Sequence, residues 1–111
     1  MGKKNSNKDK SKTLHTAEFT KFENDTNWCS GTIGEYSFEA KIFDEGSMFG
    51  IKNGRVSKLS IWDEKIRQEK QNFLAACLVN YDRGWDIKPT KDIKPYFKAV
   101  MKLLENAPKR F

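Results

Sequence analysis

Tyr81-Asp82-Arg83-Gly84-Trp85-Asp86 sets two aromatic rings and three charges in six residues at the end of an apolar run. Gly84 permits a sharp turn that would display Arg83 between the rings of Tyr81 and Trp85, a geometry suited to stacking on a base or gripping a carboxylate. The same residues also make a structural corner, with Arg83 paired to Asp82 or Glu45 and Trp85 capping the core. Lys94, Lys98 and Lys102 form a second constellation, with Lys88 and Lys91 before them and Lys109-Arg110 after. Such a row can neutralise a phosphate backbone, or it can be a solvated helix face.

Catalytic constellations are poorer. Glu39-Ala40-Lys41 has the Glu-x-Lys form used by metal-dependent nucleases, with Asp25 the nearest preceding acid, but simple alternation on a wet strand face produces the same tripeptide. His15, the only histidine, stands beside a lysine-rich tail, so no fixed pairing with Cys29 or Cys77 is expected. Asp44 and Glu45 have no partner base. The two cysteines are 48 residues apart and neither has a metal-binding spacing around it. They read as two buried thiols, with a single disulfide as the alternative. No metal and no cofactor are expected, and the chain does not read as an enzyme.

With 111 residues the chain has room for one domain around one core. Its hydrophobic fraction of 37% is low and its charged fraction of 32% is high. Met1–Thr13 holds five lysines and no large apolar side chain except Met1. Nothing there can offset the entropy of ordering, so residues 1–13 read as a disordered basic tail and residues 14–111 as a single domain. No apolar run follows the lysines as in a signal peptide, and none is long enough to span a bilayer, so a soluble, cytoplasmic protein is expected, with no membrane partner. The net charge of +6 is uneven: +4 over 1–13, −2 over 14–27, zero over 28–85 and +4 over 86–111.

The elements that must position these residues begin at Trp28. Tyr36, Phe38, Ala40 and Ile42 share one strand face while Ser37, Glu39 and Lys41 share the other. Gly34-Glu35 turns Trp28–Ile33 into Tyr36–Phe43. Asn53-Gly54, the preferred type I′ pair, predicts a second hairpin between Met48–Lys52 and Arg55–Trp62 with Ile51 facing Val56, and Asp44–Ser47 forms the loop between the hairpins. Asp63–Gln71 is expected as a hairpin loop and Asn72–Tyr81 as a strand, with a helix over Glu64–Leu78 as the alternative. A C-terminal helix is predicted with Asp92 as N-cap, Pro95 in its first turn and Pro108 after its end. Ile93, Tyr96, Phe97, Val100, Leu103 and Leu104 fill its apolar arc, away from the lysine row. The fold class is α+β: an antiparallel sheet of about four to five strands packed by one C-terminal amphipathic helix.

The order Trp28…Gly31-Thr32-Ile33-Gly34-x-Tyr36-x-Phe38-x-Ala40-Lys41-x-Phe43-Asp44-Glu45-x-Ser47-x-x-Gly50-Ile51-x-x-Gly54-Arg55-x-Ser57-Lys58-Leu59, closing with Tyr81–Asp86, resembles a family of short uncharacterised bacterial proteins carried by phages and plasmids. It covers about half of the chain. The resemblance implies a small domain of unknown function, and marks Ser47, Arg55, Lys58, Asp82, Arg83 and Trp85 as positions to test. The tail, the polar stretch around Glu64–Asn72 and the long final helix are departures from it.

The first expectation is a non-enzymatic binding protein of a mobile element that contacts nucleic acid through the tail and Lys91, Lys94, Lys98 and Lys102, with Arg83 and Trp85. No helix-turn-helix, zinc finger or RNP pattern specifies a mode. The alternative is an accessory or inhibitor of a host system that grips a host protein with Tyr81, Arg83 and Trp85, residue types that dominate interfaces. A Glu39/Lys41 nuclease stands third.

Overall fold

A computed structural model describes residues 16–23 and 25–109. The expected tail, Met1–Thr13, lies outside the described residues. Six strands, β1 (Ala17–Phe22), β2 (Trp28–Ile33), β3 (Tyr36–Ile42), β4 (Val56–Asp63), β5 (Cys77–Asp82) and β6 (Trp85–Ile87), form one antiparallel sheet in sequential order. Three helices complete the fold: α1 (Glu64–Lys70), α2 (Phe73–Ala76) and α3 (Lys94–Glu105). The class is α+β, and the sheet has six strands rather than four or five.

The expected first hairpin forms. Ile33 pairs with Tyr36 across Gly34-Glu35, and Gly34 takes the positive φ of 58° that a two-residue turn of this hand requires. Phe38, Ala40 and Ile42 point to the inner face with Cys29, Ile33, Leu59, Ile61 and Val79, all at most 1% exposed. Gly31 stands opposite Phe38, and a Cβ there would strike the Phe38 ring and the Glu18 carbonyl. Its bare backbone makes room for that ring.

Two strands were not expected. In β1, Ala17 and Phe19 follow a period of two, but a register shift between Phe19 and Lys21 brings Phe22 onto the same inner side. This bulge gives the apolar residues a spacing of three and hides the strand from a period-two reading. Only three residues make β6, joined to β5 through the turn at Asp82–Gly84.

Three expectations are corrected. Met48–Lys52 is not a strand: Ile51–Asn53 is a 3₁₀ turn, and the left-handed pair is Lys52-Asn53 (φ 53° and 60°), one residue before Asn53-Gly54. Ile51, 3% exposed, drops into the core, and Val56 pairs with Ile42 instead. The expected hairpin loop over Asp63–Gln71 is instead a helix over Glu64–Lys70, starting where the alternative reading put it, because the Asp63 carboxylate accepts from Ile66 N–H (3.1 Å) and caps α1. Asn72 then caps α2, accepting from Leu74 N–H (3.0 Å), so the strand expected over Asn72–Tyr81 begins only at Cys77.

Helix α3 crosses the inner face against β1 and β4, burying Val100 and Leu104. Pro95 lies in its first turn, but Asp92 does not cap it: Ile93 and Lys94 N–H both donate to Thr90 O, at 3.0 and 2.9 Å. Near its start the Tyr96 ring meets Tyr36 edge-on at 4.9 Å. Burial, aided by Tyr96 and the acids Asp63 and Glu35, pushes the Tyr36 phenol above its ordinary pKa.

The far end of α3 is held by Arg55, which is 8% exposed. Arg55 N–H donates to the Glu105 carboxylate (2.9 Å), Nε to Phe43 O (2.7 Å), and Nη1 to Glu105 O (3.0 Å) and Ala107 O (2.7 Å). Among the described residues Nη2 is buried without a partner. The last carbonyls of a helix have no N–H donor inside it, and here a guanidinium donates to them from outside.

Neither cysteine is in a disulfide; Cys29 is buried and Cys77 half-buried. Burial pushes the Cys77 thiol above its ordinary pKa, so little of it is thiolate at neutral pH. A thiol reagent at pH 7 should therefore label native protein far more slowly than unfolded protein, and equal rates would contradict this packing. Arg55→Ala leaves the Phe43, Glu105 and Ala107 carbonyls unpaired and should cost about 3 kcal/mol. That corresponds to a melting temperature lower by roughly 10–20 °C. Arg55→Lys should recover little of it, because one ammonium cannot reproduce the fork. Unchanged thermal unfolding of Arg55→Ala, followed by circular dichroism, would refute the clasp.

Candidate functional site

With α3 on the inner face, the outer face of the sheet carries the residues between the core positions. Trp28 pairs with Lys41, Lys41 with Lys58, and Lys58 with Asp82, which makes one straight row across β2, β3, β4 and β5. Lys41 and Lys58 are thus like charges in direct register, an arrangement that destabilises a sheet. The Trp28 ring tempers it, with Lys41 Nζ 6.0 Å and Lys58 Nζ 5.9 Å from its centroid. Lys41 Nζ also lies 5.7 Å from the Phe43 ring.

Arg83 joins this row from the turn after β5. Its N–H donates to Ser57 O (2.9 Å), which pins the turn against β4, and its φ of 58° is left-handed. An L-residue other than Asn or Asp adopts that conformation at a cost, and Gly84, which would adopt it freely, stands one position later. The Asp82 carboxylate is shared between Arg83 Nε (3.4 Å) and Lys58 Nζ (3.7 Å). Two cations therefore share one anion, and Lys41 stands beside them with none of its own among the described residues.

A cavity of about 370 Å³ opens between Lys41, Lys58 and Arg83 and the side chains of Phe43, Ser47, Phe49 and Ser57. Phe43 is 38% and Phe49 54% exposed. Tyr81 Oη donates to Phe49 O (2.9 Å), and Phe49 N–H donates to Ser47 Oγ (3.2 Å), so the loop that presents Phe49 is tied to the end of the sheet. Cations and partly exposed aromatic side chains meet at this one site.

The sequence-marked residues divide. Ser47, Lys58, Asp82 and Arg83 come together here. Tyr81 and Trp85 do not flank Arg83: they pack edge-on to each other at 5.0 Å on the inner side, and Trp85 rests on Phe97 at 5.6 Å. Theirs is the structural corner. Arg55 is occupied by its clasp and is too buried to meet a ligand. Lys91, Lys94, Lys98 and Lys102 are exposed on the helix layer, away from the outer face, and none joins an ion pair among the described residues. Lys52 stands with Lys98 and Lys102 around a smaller cavity over Ile51, Phe97 and Met101.

Sequence reasoning missed Trp28, Lys41, Phe43 and Phe49 as binding candidates. Alternation did place Lys41 on the wet face, but only the strand register sets it opposite Lys58. Glu39 lies on that face between Ser30 and Ser60, not beside other acids. Among the described residues no group of three or more His, Cys, Asp or Glu could hold a metal ion, and no helix is long and apolar enough to cross a membrane.

Comparison with known proteins adds one match. The model of a family described as Domain of unknown function (DUF7678) matches residues 27–105. The matched span takes in α1, α2 and α3, so the polar stretch around Glu64–Asn72 and the long helix are parts of the family's domain rather than additions to it. No curated protein and no solved structure matches the chain.

The left-handed Arg83 generates a stability test. Arg83→Gly removes the strained φ at the loss of an exposed ion pair, and should stabilise the fold by about 0.5–1 kcal/mol. The readout is thermal unfolding, with a melting temperature a few degrees higher. A clear fall would mean that Arg83 holds the turn rather than being held by it.

Proposed function

The chain belongs to the family described as Domain of unknown function (DUF7678), and from that premise we propose that it is a non-enzymatic module that binds single-stranded nucleic acid on the outer face of its sheet. Lys41, Lys58 and Arg83 take backbone phosphates, while Phe43, Phe49 and the edge of Trp28 offer surfaces to bases. The observation that carries this reading is the direct register of Lys41 against Lys58. Two lysines in direct register, with one carboxylate near Lys58 alone of the pair, disfavour the free protein, and an anion that meets both relieves that repulsion.

Exposed rings favour a single strand over a duplex, whose stacked bases present no free faces. The row Lys94, Lys98 and Lys102, with Lys91 and Lys52, adds a second field of positive charge that attracts nucleic acid without reading it. The phage and plasmid setting implied by the sequence resemblance and a cytoplasmic location belong to the same proposal. A host protein as partner is the second reading. It is favoured by Met48, 80% exposed, beside Phe49 on the loop that borders the cations.

Fluorescence anisotropy with labelled single strands and duplexes at about 50 and 200 mM salt separates these readings. Three neutralised phosphates predict that log affinity for a single strand falls against log salt with a slope of about −2. Lys58→Glu should weaken binding at least tenfold, whereas Lys98→Glu with Lys102→Glu should weaken it only a few-fold. Binding lost only on the helix substitutions would move the site to α3. No binding at low salt would sink the proposal, and a salt-tolerant protein partner lost on Met48→Ala or Phe49→Ala would take its place.

A further inference from the structure

The outer face continues beyond the cations. Two residues along β3 from Lys41, Glu39 stands between Ser30 of β2 and Ser60 of β4, and two residues further Ser37 stands between Thr32 and Trp62. A cavity of about 390 Å³ opens over these positions, polar in its lining, with Arg67 and Phe73 at its border. That border is fixed. The Arg67 guanidinium carbon lies 5.4 Å from the Trp62 ring and 5.6 Å from that of Phe73, and Trp62 Nε1 donates to Glu64 Oε1 at 2.7 Å.

Glu39 is exposed in this trough, and no ion pair engages it among the described residues. Lys41, its neighbour on the same face, turns its ammonium toward the Trp28 and Phe43 rings. The trough therefore presents an acceptor-only carboxylate among the hydroxyls of Ser30, Ser37 and Thr32. Glu39 and Lys41 are two residues apart on β3, so the trough's carboxylate and the nearest cation position are separated by about 7 Å on one surface.

We infer that this trough is a base-reading subsite for guanine, an inference that rests on the single-strand reading above. A carboxylate offers two acceptors side by side. On its Watson–Crick edge guanine alone among the bases presents two adjacent N–H donors, the ring N1–H and the 2-amino group. Adenine and cytosine each place an acceptor nitrogen beside their amino group, and thymine or uracil sets its one N–H between two carbonyls that repel a carboxylate. Single strands expose this edge, and a guanidinium plane such as that of Arg67 is a common stacking surface for a splayed base. Glu39 selects the base while Lys41, Lys58 and Arg83 hold the phosphates.

The test compares labelled strands of about twelve nucleotides, all-thymidine, alternating thymidine and guanosine, and alternating thymidine and adenosine, at one salt concentration. The wild type should bind the guanosine strand about tenfold more tightly than the thymidine strand, the order of discrimination that a bidentate pair supplies. Glu39→Gln should abolish that preference and raise relative affinity for the adenosine strand, since a carboxamide matches adenine's donor and acceptor. Its melting temperature should stay that of the wild type. Equal binding of all three strands by the wild type, still lost on Lys58→Glu, would overturn guanine reading and leave the phosphate site standing. A guanine preference that survives Glu39→Gln would overturn it too. Absence of binding to any strand would remove the phosphate site and this subsite with it.

Discussion

Arg55 makes the joint on which both layers of the protein depend. Its backbone N–H is held by the carboxylate of Glu105, and its guanidinium holds the carbonyls of Phe43, Glu105 and Ala107. The end of β3, the start of β4 and the end of α3 are fixed to one another through this single residue. A buried helix end needs donors from elsewhere in the chain, and a planar fork of N–H groups supplies several in a set geometry. The same joint reaches the outer face. Phe43, whose carbonyl Arg55 grips, turns its ring toward Lys41 at the cation cavity. Scaffold and candidate site thus share a residue.

One twelve-residue helix covers one face of a six-stranded sheet, and the residues on the two faces differ accordingly. The inner face is aliphatic and aromatic, while the outer one carries hydroxyls, Lys21, Lys41 and Lys58, and the acids Glu18, Glu39 and Asp82. A solvated face chosen for stability alone would interleave opposite charges across its strands. Here Lys41 opposes Lys58, and Arg83 occupies a backbone conformation better suited to the glycine beside it. Local choices that work against the fold cluster in one place, as they do where a surface has been shaped by what it must hold.

Much of the sheet was legible because it obeys period two. The Gly34-Glu35 hairpin, the inward Phe38, Ala40 and Ile42, and the final helix around Pro95 follow from local chemistry alone. What could not be read depends on irregularity or on distant partners. The bulge in β1 converts alternation into a spacing of three. At Lys52-Asn53 the burial of Ile51 overrides the hairpin preference of Asn53-Gly54, and the backbone turns one residue early. Over Glu64–Asn72 two capping side chains, Asp63 and Asn72, decide for helix where apolar anchors were too few to signal it. The site was half legible. Arg83 and Lys58 stood out by type, but the partners that give them meaning come from strand register. Arg55, equally prominent as a cation, is spent inside the fold.

Because each strand pairs with the one before it, the sheet can assemble in the order in which the chain is synthesised, through a series of short loop closures. The α3 layer is the exception, since Arg55 and Glu105 meet across 50 residues. Until α3 docks, or where a truncated chain lacks it, the surface around Phe38, Ile42 and Ile61 stands open. A chain in that condition is adhesive. Closure by α3 is the step that covers that surface, so truncation before it would produce aggregates rather than merely shorter products.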